Sequence, residues 1–323
     1  MVRIHSNKNM NLKYFFYNLK KITFVLIPLL TLAQSTNAFP IYAQNAYSNP
    51  REANGRIVCA NCHLAQKPVE IESPSAVLPN SLFETVVKIP YDLKTKQIVG
   101  SGDKGGLNVG AVIILPDGFK LAPPKMITPE IKAKNKGVFI APYSAKSDNI
   151  LVVGPISGDK HQEIIFPIVS PDPETNSTVN YLKYPIYVGA NRGRGQVNPT
   201  GDKSNNNPIL ASVNGQITEI QKISDNGGYT VSIKTSNGDV KNTTIPKNYN
   251  LIVSEGKTIK QDQLLTSDPN IGGFGQTETE IILQNPFRIV GYLGIIFVIL
   301  LCQVFLVLKK KQFEKVQAAE MSF

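Results

Sequence analysis

The sequence predicts an all-β ectodomain carried on one C-terminal membrane helix, and three observations lead there. From about residue 100 onward, short runs rich in β-branched and aromatic residues alternate with Gly, Pro, Asn and Asp, the spacing of a β-sandwich. Residues 289–308 run from Ile289 to Leu308 without a charge, about the 20 residues a helix needs to cross a bilayer. The first 38 residues read as an export signal, which places the β-rich part outside the compartment of synthesis.

The elements justify this in order. Residues 1–38 hold Arg3, Lys8, Lys13, Lys20 and Lys21 with no acid. An apolar run, Ile22 to Ala33, comes next, and then the small, polar ending Thr36-Asn-Ala38. Cleavage is expected after Ala38; a retained anchor fits less well because the run is short and holds Pro28. Helix is expected only around Asn49 to Ala65 and in the membrane span. Strands are expected in Asn108–Leu115, Asn149–Val153, Glu163–Phe166 and Tyr184–Val188. A break at Asn205-Asn-Asn-Pro208 precedes a second β-rich part, in which the run from Leu251 is similar to the hairpin of small lipoyl-type domains; no lysine stands in the tight turn, so the likeness is one of fold alone. Lys309, Lys310 and Lys311 close the span, and such a cluster marks the side that is not translocated. Once leader and tail are set aside, residues 39–288 carry a net charge of about +3, too mild for nucleic-acid binding.

The chemistry concentrates in Ile57-Val-Cys-Ala-Asn-Cys-His-Leu64. Cys59, Cys62 and His63 form C-x-x-C-H, the attachment pattern of a c-type haem. Two thiols can add to the two vinyl groups of one porphyrin, and the adjacent imidazole then falls under the iron. Zinc would need a second pair of ligands, which the three histidines and three cysteines of the chain do not supply. A thioredoxin-like pair belongs in an alternating β/α chain. Cys302, in the span, reads as a small hydrophobe. The other axial position is open to Met126, His161, a lysine or the new N-terminus. The α-amine of Phe39 has an unperturbed pKa of about 8 and deprotonates far more easily than a lysine, and Pro40 stiffens its approach. On the residues alone Met126 and this amine stand equal, while His161 lies in a turn-like polar run and is expected to be exposed.

The stretches Phe39-Pro-Ile-Tyr-Ala-Gln44, Arg51-Glu-Ala-Asn-Gly-Arg-Ile-Val-Cys59, Ala190-Asn-Arg-Gly-Arg-Gly-Gln196, Lys203-Ser-Asn-Asn206 and Pro286-Phe-Arg-Ile289 together resemble the cytochrome f family through essentially the whole chain. The resemblance implies an elongated immunoglobulin- or fibronectin-like β-sandwich as a large domain, 39–206 with 270–288, and a small lipoyl-like β domain, 207–269. A transmembrane helix, 289–308, and a short stromal or cytoplasmic tail, 309–323, complete it. It implies one covalently bound haem c, with His63 and the α-amino group of Phe39 on the iron and Pro40, Tyr42 and Pro155 around it. It maps a chain of ordered waters onto Gln97, Asn191, Gln196, Asn206 and Asn270. The implied protein is an electron carrier rather than an enzyme, a subunit of the cytochrome b6-f complex beside cytochrome b6 and the Rieske protein. It would be set in a plastid or cyanobacterial thylakoid membrane and would serve plastocyanin or a soluble c-type cytochrome. Of the lysine-rich docking surface of plant members, Lys96 and Lys104 remain; Asp103 stands beside Lys104 and Ser224-Asp-Asn226 occupies the small-domain part, so steering should be weak. The rival reading is a haem enzyme or gas sensor with a displaceable axial ligand.

Overall fold

The computed structural model of the chain describes residues 40–223 and 227–321. The leader with its cleavage site, Phe39 and the Ser224-Asp-Asn226 segment lie outside the described residues.

Alternating burial builds two sheets that pack face to face. One has four strands, β1 (Glu70–Glu72), β3 (Leu82–Lys88), β10 (Glu163–Val169) and β7 (Lys120–Leu121), in that order. The other has six: β2 (Ala76–Val77), β16 (Gly273–Leu283), β11 (Lys183–Arg192), β6 (Asn108–Ile114), β9 (Ser147–Ser157) and β8 (Ile140–Ser144). Phe83 and Val87 of β3 and Ile164, Phe166 and Ile168 of β10 meet Val109, Ile113, Leu151, Ile186, Val188 and Ile281 in one buried core. β3 alternates buried and half-buried residues along its whole length, the period-two pattern of a strand with one face on a core. The sandwich is thus as expected, and each of the four anticipated strands is present.

A separate sheet, β14 (Val240–Ile245), β13 (Tyr229–Lys234), β12 (Gly215–Lys222) and β15 (Thr258–Ile259), has its own core of Ile217, Val231, Ile233, Ile245, Ile259 and Leu265. A two-stranded hairpin, β4 (Gln97–Ile98) with β5 (Lys104–Gly105), reaches toward it. The hairpin tip meets the small sheet's side through Asn248 Nδ2, which donates to the Gly102 carbonyl at 2.7 Å, and through Lys247, paired with Asp103 at 2.7 Å.

The helices differ from expectation. Asn49–Ala65 is not helical beyond one 3₁₀ turn, Val58–Asn61, because its first part closes on itself through Glu52 N to Arg56 O and Val58 N to Pro50 O, and Ile57 N and Leu64 N are engaged by distant side chains. A seven-residue helix, α1 (Pro40–Ala46), and a six-residue one, α2 (Pro129–Lys134), are additional. The signal for α2 was present: Thr128 caps it by accepting from Ile131 N, and Pro129 opens it. The membrane helix α3 runs from Pro286 to Glu320, capped by Asn285, whose Oδ1 accepts from Phe287 N at 2.8 Å. It outlasts the expected span because residues 309–320 contain no Gly or Pro, and Lys310 and Glu314 stand one turn apart at 3.8 Å. Its side chains, exposed all round and uncharged over 289–308, suit a lipid surrounding.

Candidate functional site

The C-x-x-C-H segment lies on the outer face of the six-stranded sheet. Ile57, at its entry, packs with Val112, Tyr143, Ile150, Val152 and Phe274, and Ala43, Cys59 and Ala60 close over them. Three partners fix its backbone. Gln276 Oε1 accepts from Ile57 N at 3.0 Å while its Nε2 donates to the Gly55 carbonyl at 3.1 Å. Gln196 Oε1 accepts from Leu64 N at 2.8 Å and Ala65 N at 3.3 Å, and its Nε2 donates to the Gly272 carbonyl at 2.9 Å. Arg56 donates to the Asn61 side chain and to the Ala60 carbonyl. Within the turn, His63 N donates to the Cys59 carbonyl at 3.0 Å. Gly195 passes so close that a Cβ there would stand 2.8 Å from the Cys62 carbonyl oxygen.

His63 is buried, 6% exposed, and burial pulls its imidazole down to about 4, so it is neutral at ordinary pH. Its Nε2 lies 2.9 Å from Asn191 Nδ2, and its Nδ1 is buried without a protein partner. A neutral imidazole has one lone pair and one proton, and Asn191 Nδ2, a donor only, meets the lone pair at Nε2. Cys59 is pushed up to about 11, chiefly by burial, and Cys62 is raised for the same reason. Neither is in a disulfide. Two uncharged thiols three positions apart and a neutral ring with one unpartnered nitrogen fit a covalently held haem.

α1 is placed by Tyr143, whose hydroxyl lies 2.8 Å from the Ala43 carbonyl and 2.7 Å from that of Tyr47; Gln44 Nε2 returns a bond to the Tyr143 carbonyl at 2.7 Å. Pro40 and Tyr42 are both half-buried in this helix, next to the cysteine turn. Pro155 follows Gly154, which has φ +108° and packs on Gly110, and a Cβ on Gly110 would stand 2.8 Å from Asn191 Oδ1. Pro155, Asn191 and His63 thus share one corner. Met126 is 38% exposed in a turn beyond β7, in the other sheet. His161 is half-buried rather than exposed, since its loop folds back on Gly158.

Of the five amides, Gln97, Gln196 and Asn206 converge on residues 193–196. Gln97 Oε1 accepts from Arg194 N at 2.7 Å, and Asn206 Nδ2 donates to the Arg194 carbonyl at 2.9 Å. Asn270 is exposed, and its carbonyl accepts from Lys67 Nζ at 2.7 Å. Lys96 and Lys104 stand on either side of the hairpin tip, and Asp103 pairs with Lys247 rather than with Lys104. Sequence reading missed Gln276 and Tyr143, whose roles depend on partners about 220 and 100 positions away, respectively.

The chain matches the family description Apocytochrome F, N-terminal, over residues 39–193 and Apocytochrome F, C-terminal, over residues 205–323. The chain belongs to the cytochrome f family. It is 64% identical to the cytochrome f of Porphyra purpurea over 90% of each chain. It is 61% identical to that of Cyanophora paradoxa, over 93% of this chain and 94% of the relative. It is 58% identical to that of Chlorella vulgaris, over 93% and 95%. It is accordingly a c-type haem protein, with Cys59 and Cys62 in position for attachment.

Proposed function

We propose that the protein is the membrane-anchored electron carrier of the cytochrome b6-f complex, taking single electrons from the Rieske iron-sulfur protein. It passes them to plastocyanin or a soluble c-type cytochrome in the thylakoid lumen, between photosystem II and photosystem I. The observation that carries this reading is the buried, neutral His63 fixed beside Cys59 and Cys62 on a rigid sheet, on a chain with one apolar helix. When bound, the haem supplies a one-electron ferric/ferrous couple. Cys59 and Cys62 would hold it covalently, and His63 would supply a ligand to its iron. The α-amine of Phe39, freed after Ala38, would supply the second ligand; in support, α1 starts at the next residue and packs by way of Ala43 against the same cluster as Cys59, and the matched N-terminal family region begins at residue 39. An iron held by two ligands of the chain itself would be closed to substrate, which suits a carrier rather than an enzyme. Pro40, Tyr42 and Pro155 shield this corner, and the amides of Gln97, Asn191, Gln196 and Asn206 retain donors for ordered water. Residues 39–206 with 270–288 form the lumenal haem domain, 207–269 the small lumenal domain, 289–308 the span and 309–323 the stromal or cytoplasmic tail. Lys309–Lys311 keep that tail untranslocated.

The test is the intact mass of the protein from its native membrane together with its spectra. The expected mass is residues 39–323 plus one haem, with a low-spin spectrum unchanged by carbon monoxide. A different start or a blocked amine removes the Phe39 ligand, and ready carbon monoxide binding favours the haem enzyme or sensor.

A further inference from the structure

One side chain in the sandwich breaks the rule that a buried charge is paired. Arg192 is 1% exposed and is the largest of the fully buried side chains. Its Nη2 donates to the Pro68 carbonyl, but its Nε and Nη1 are buried without a protein partner, and no carboxylate forms an ion pair with it among the described residues. Burial draws the guanidinium down only to about 10, with the nearby Tyr91 acting the other way, so it remains a cation near neutrality. An unpaired buried charge opposes folding. Its place in the fold suggests what it is kept for.

Along β11, Ile186, Val188 and Ala190 point into the core between the sheets, and Arg192 continues that alternation. Asn191 points to the opposite face, where it meets His63 at 2.9 Å. Arg192 and the C-x-x-C-H turn therefore flank one strand with protein on both sides and little water to screen the charge. Side chains leaving a strand on opposite faces put their polar ends roughly 12 Å apart, comparable to the spacing of packed sheets.

We propose that Arg192 is a positioning residue for the electron: a permanent buried cation that favours the ferrous over the ferric haem and so raises the midpoint potential. This rests on the carrier reading above. The ferric centre has one more positive charge than the ferrous, so a fixed cation destabilises it selectively. The iron would lie beyond Asn191 by the length of that hydrogen bond and more, so at about 15 Å and an effective dielectric of about 20 a unit charge changes a one-electron equilibrium about sixfold, which at about 59 mV per tenfold is about 50 mV.

The experiment is spectroelectrochemical titration of the full-length, haem-loaded protein and of Arg192→Met, Arg192→Gln and Arg192→Lys, with thermal unfolding of each. The Met and Gln variants should both lower the ferrous-to-ferric ratio at fixed potential about sixfold. Lys, measured at mildly acidic pH where a buried amine keeps its proton, should restore most of it. Gln is shorter than Arg and falls short of the Pro68 carbonyl that Nη2 reaches, so a purely structural role predicts that potential follows unfolding temperature across the series. That pattern, or unchanged potentials in Gln and Met, overturns the proposal. If Met does not fold, the Gln and Lys comparison alone decides. A wild-type protein with an open axial site, binding carbon monoxide, would instead overturn the carrier reading.

Discussion

Replacing Gln196 by Leu keeps the side-chain volume nearly constant and removes only its polar atoms, so it isolates the clamp on the haem turn. Gln196 is buried, and its amide joins three backbone groups: Leu64 N at 2.8 Å, Ala65 N at 3.3 Å and the Gly272 carbonyl at 2.9 Å. The two shorter bonds each leave a main-chain group unpaired when lost, at about 1–3 kcal/mol apiece, and the third is shared and longer. The expected loss is about 2–5 kcal/mol. Gln196→Glu keeps the acceptor for Leu64 but turns a second oxygen toward the Gly272 carbonyl in a buried place, so it should lose at least as much. Guanidinium unfolding of the haem-loaded protein in detergent, tracked by far-ultraviolet circular dichroism and by the haem absorption, measures both. A Leu variant within about 0.5 kcal/mol of wild type would refute the view that this amide holds the turn, since an ordinary surface site gives that much.

Tyr143→Phe should cost about 1–2 kcal/mol and raise amide exchange in residues 43–47 before the sheets respond. Tyr143 is pushed up to about 12, mainly by burial, so its neutral form is favoured by folding. That contribution is complete below about pH 10 and fades as pH climbs toward 12, and the Phe variant should show a shallower alkaline loss. Gly195→Ala forces a methyl against the Cys62 carbonyl; overpacking there should cost about 1–3 kcal/mol and alter the haem spectrum, and an unaltered spectrum would show that the turn can yield. Ile233→Ala, in the core of the small sheet, should cost about 2–5 kcal/mol with the potential unmoved. Lys247→Ala removes a half-exposed pair with Asp103 and should change stability by less than about 1 kcal/mol, checked in low and high salt.

The strands were legible because alternation is local. Glu163–Val169 declares itself by its own side chains, and only its ends needed partners. β9 outran its expected limit of Val153 because the pairing with β6 resumes after a register shift, and a bulge of that kind depends on the neighbouring strand. The helix expected over Asn49–Ala65 failed partly for the opposite reason: the amides of Ile57 and Leu64 are bonded to Gln276 and Gln196, far along the chain. In the site, C-x-x-C-H states its own chemistry. The identity of Asn191 as the residue against His63, and of Tyr143 as the anchor of α1, emerges only when β8, β9, β6 and β11 lie side by side in one sheet. Arg192 left one trace, a cation in phase with Ile186, Val188 and Ala190.

The clamps on the cysteine turn also set an order of assembly. His63 reaches its partner Asn191 across 128 positions, Leu64 reaches Gln196 across 132, and Ile57 reaches Gln276 across 219. A chain made from its N-terminus exposes both thiols long before residue 276 exists. At about 5–20 residues per second that interval is on the order of ten to forty seconds. During it the turn is an open peptide that an attaching machinery can grip, whereas in the finished fold Cys59 is packed against the cluster of Ile57 and Tyr143. The topology therefore orders assembly: the clamp on the turn is complete only when β16 supplies Gln276, and from then on the two half-buried thiols sit on a fixed rather than an open backbone.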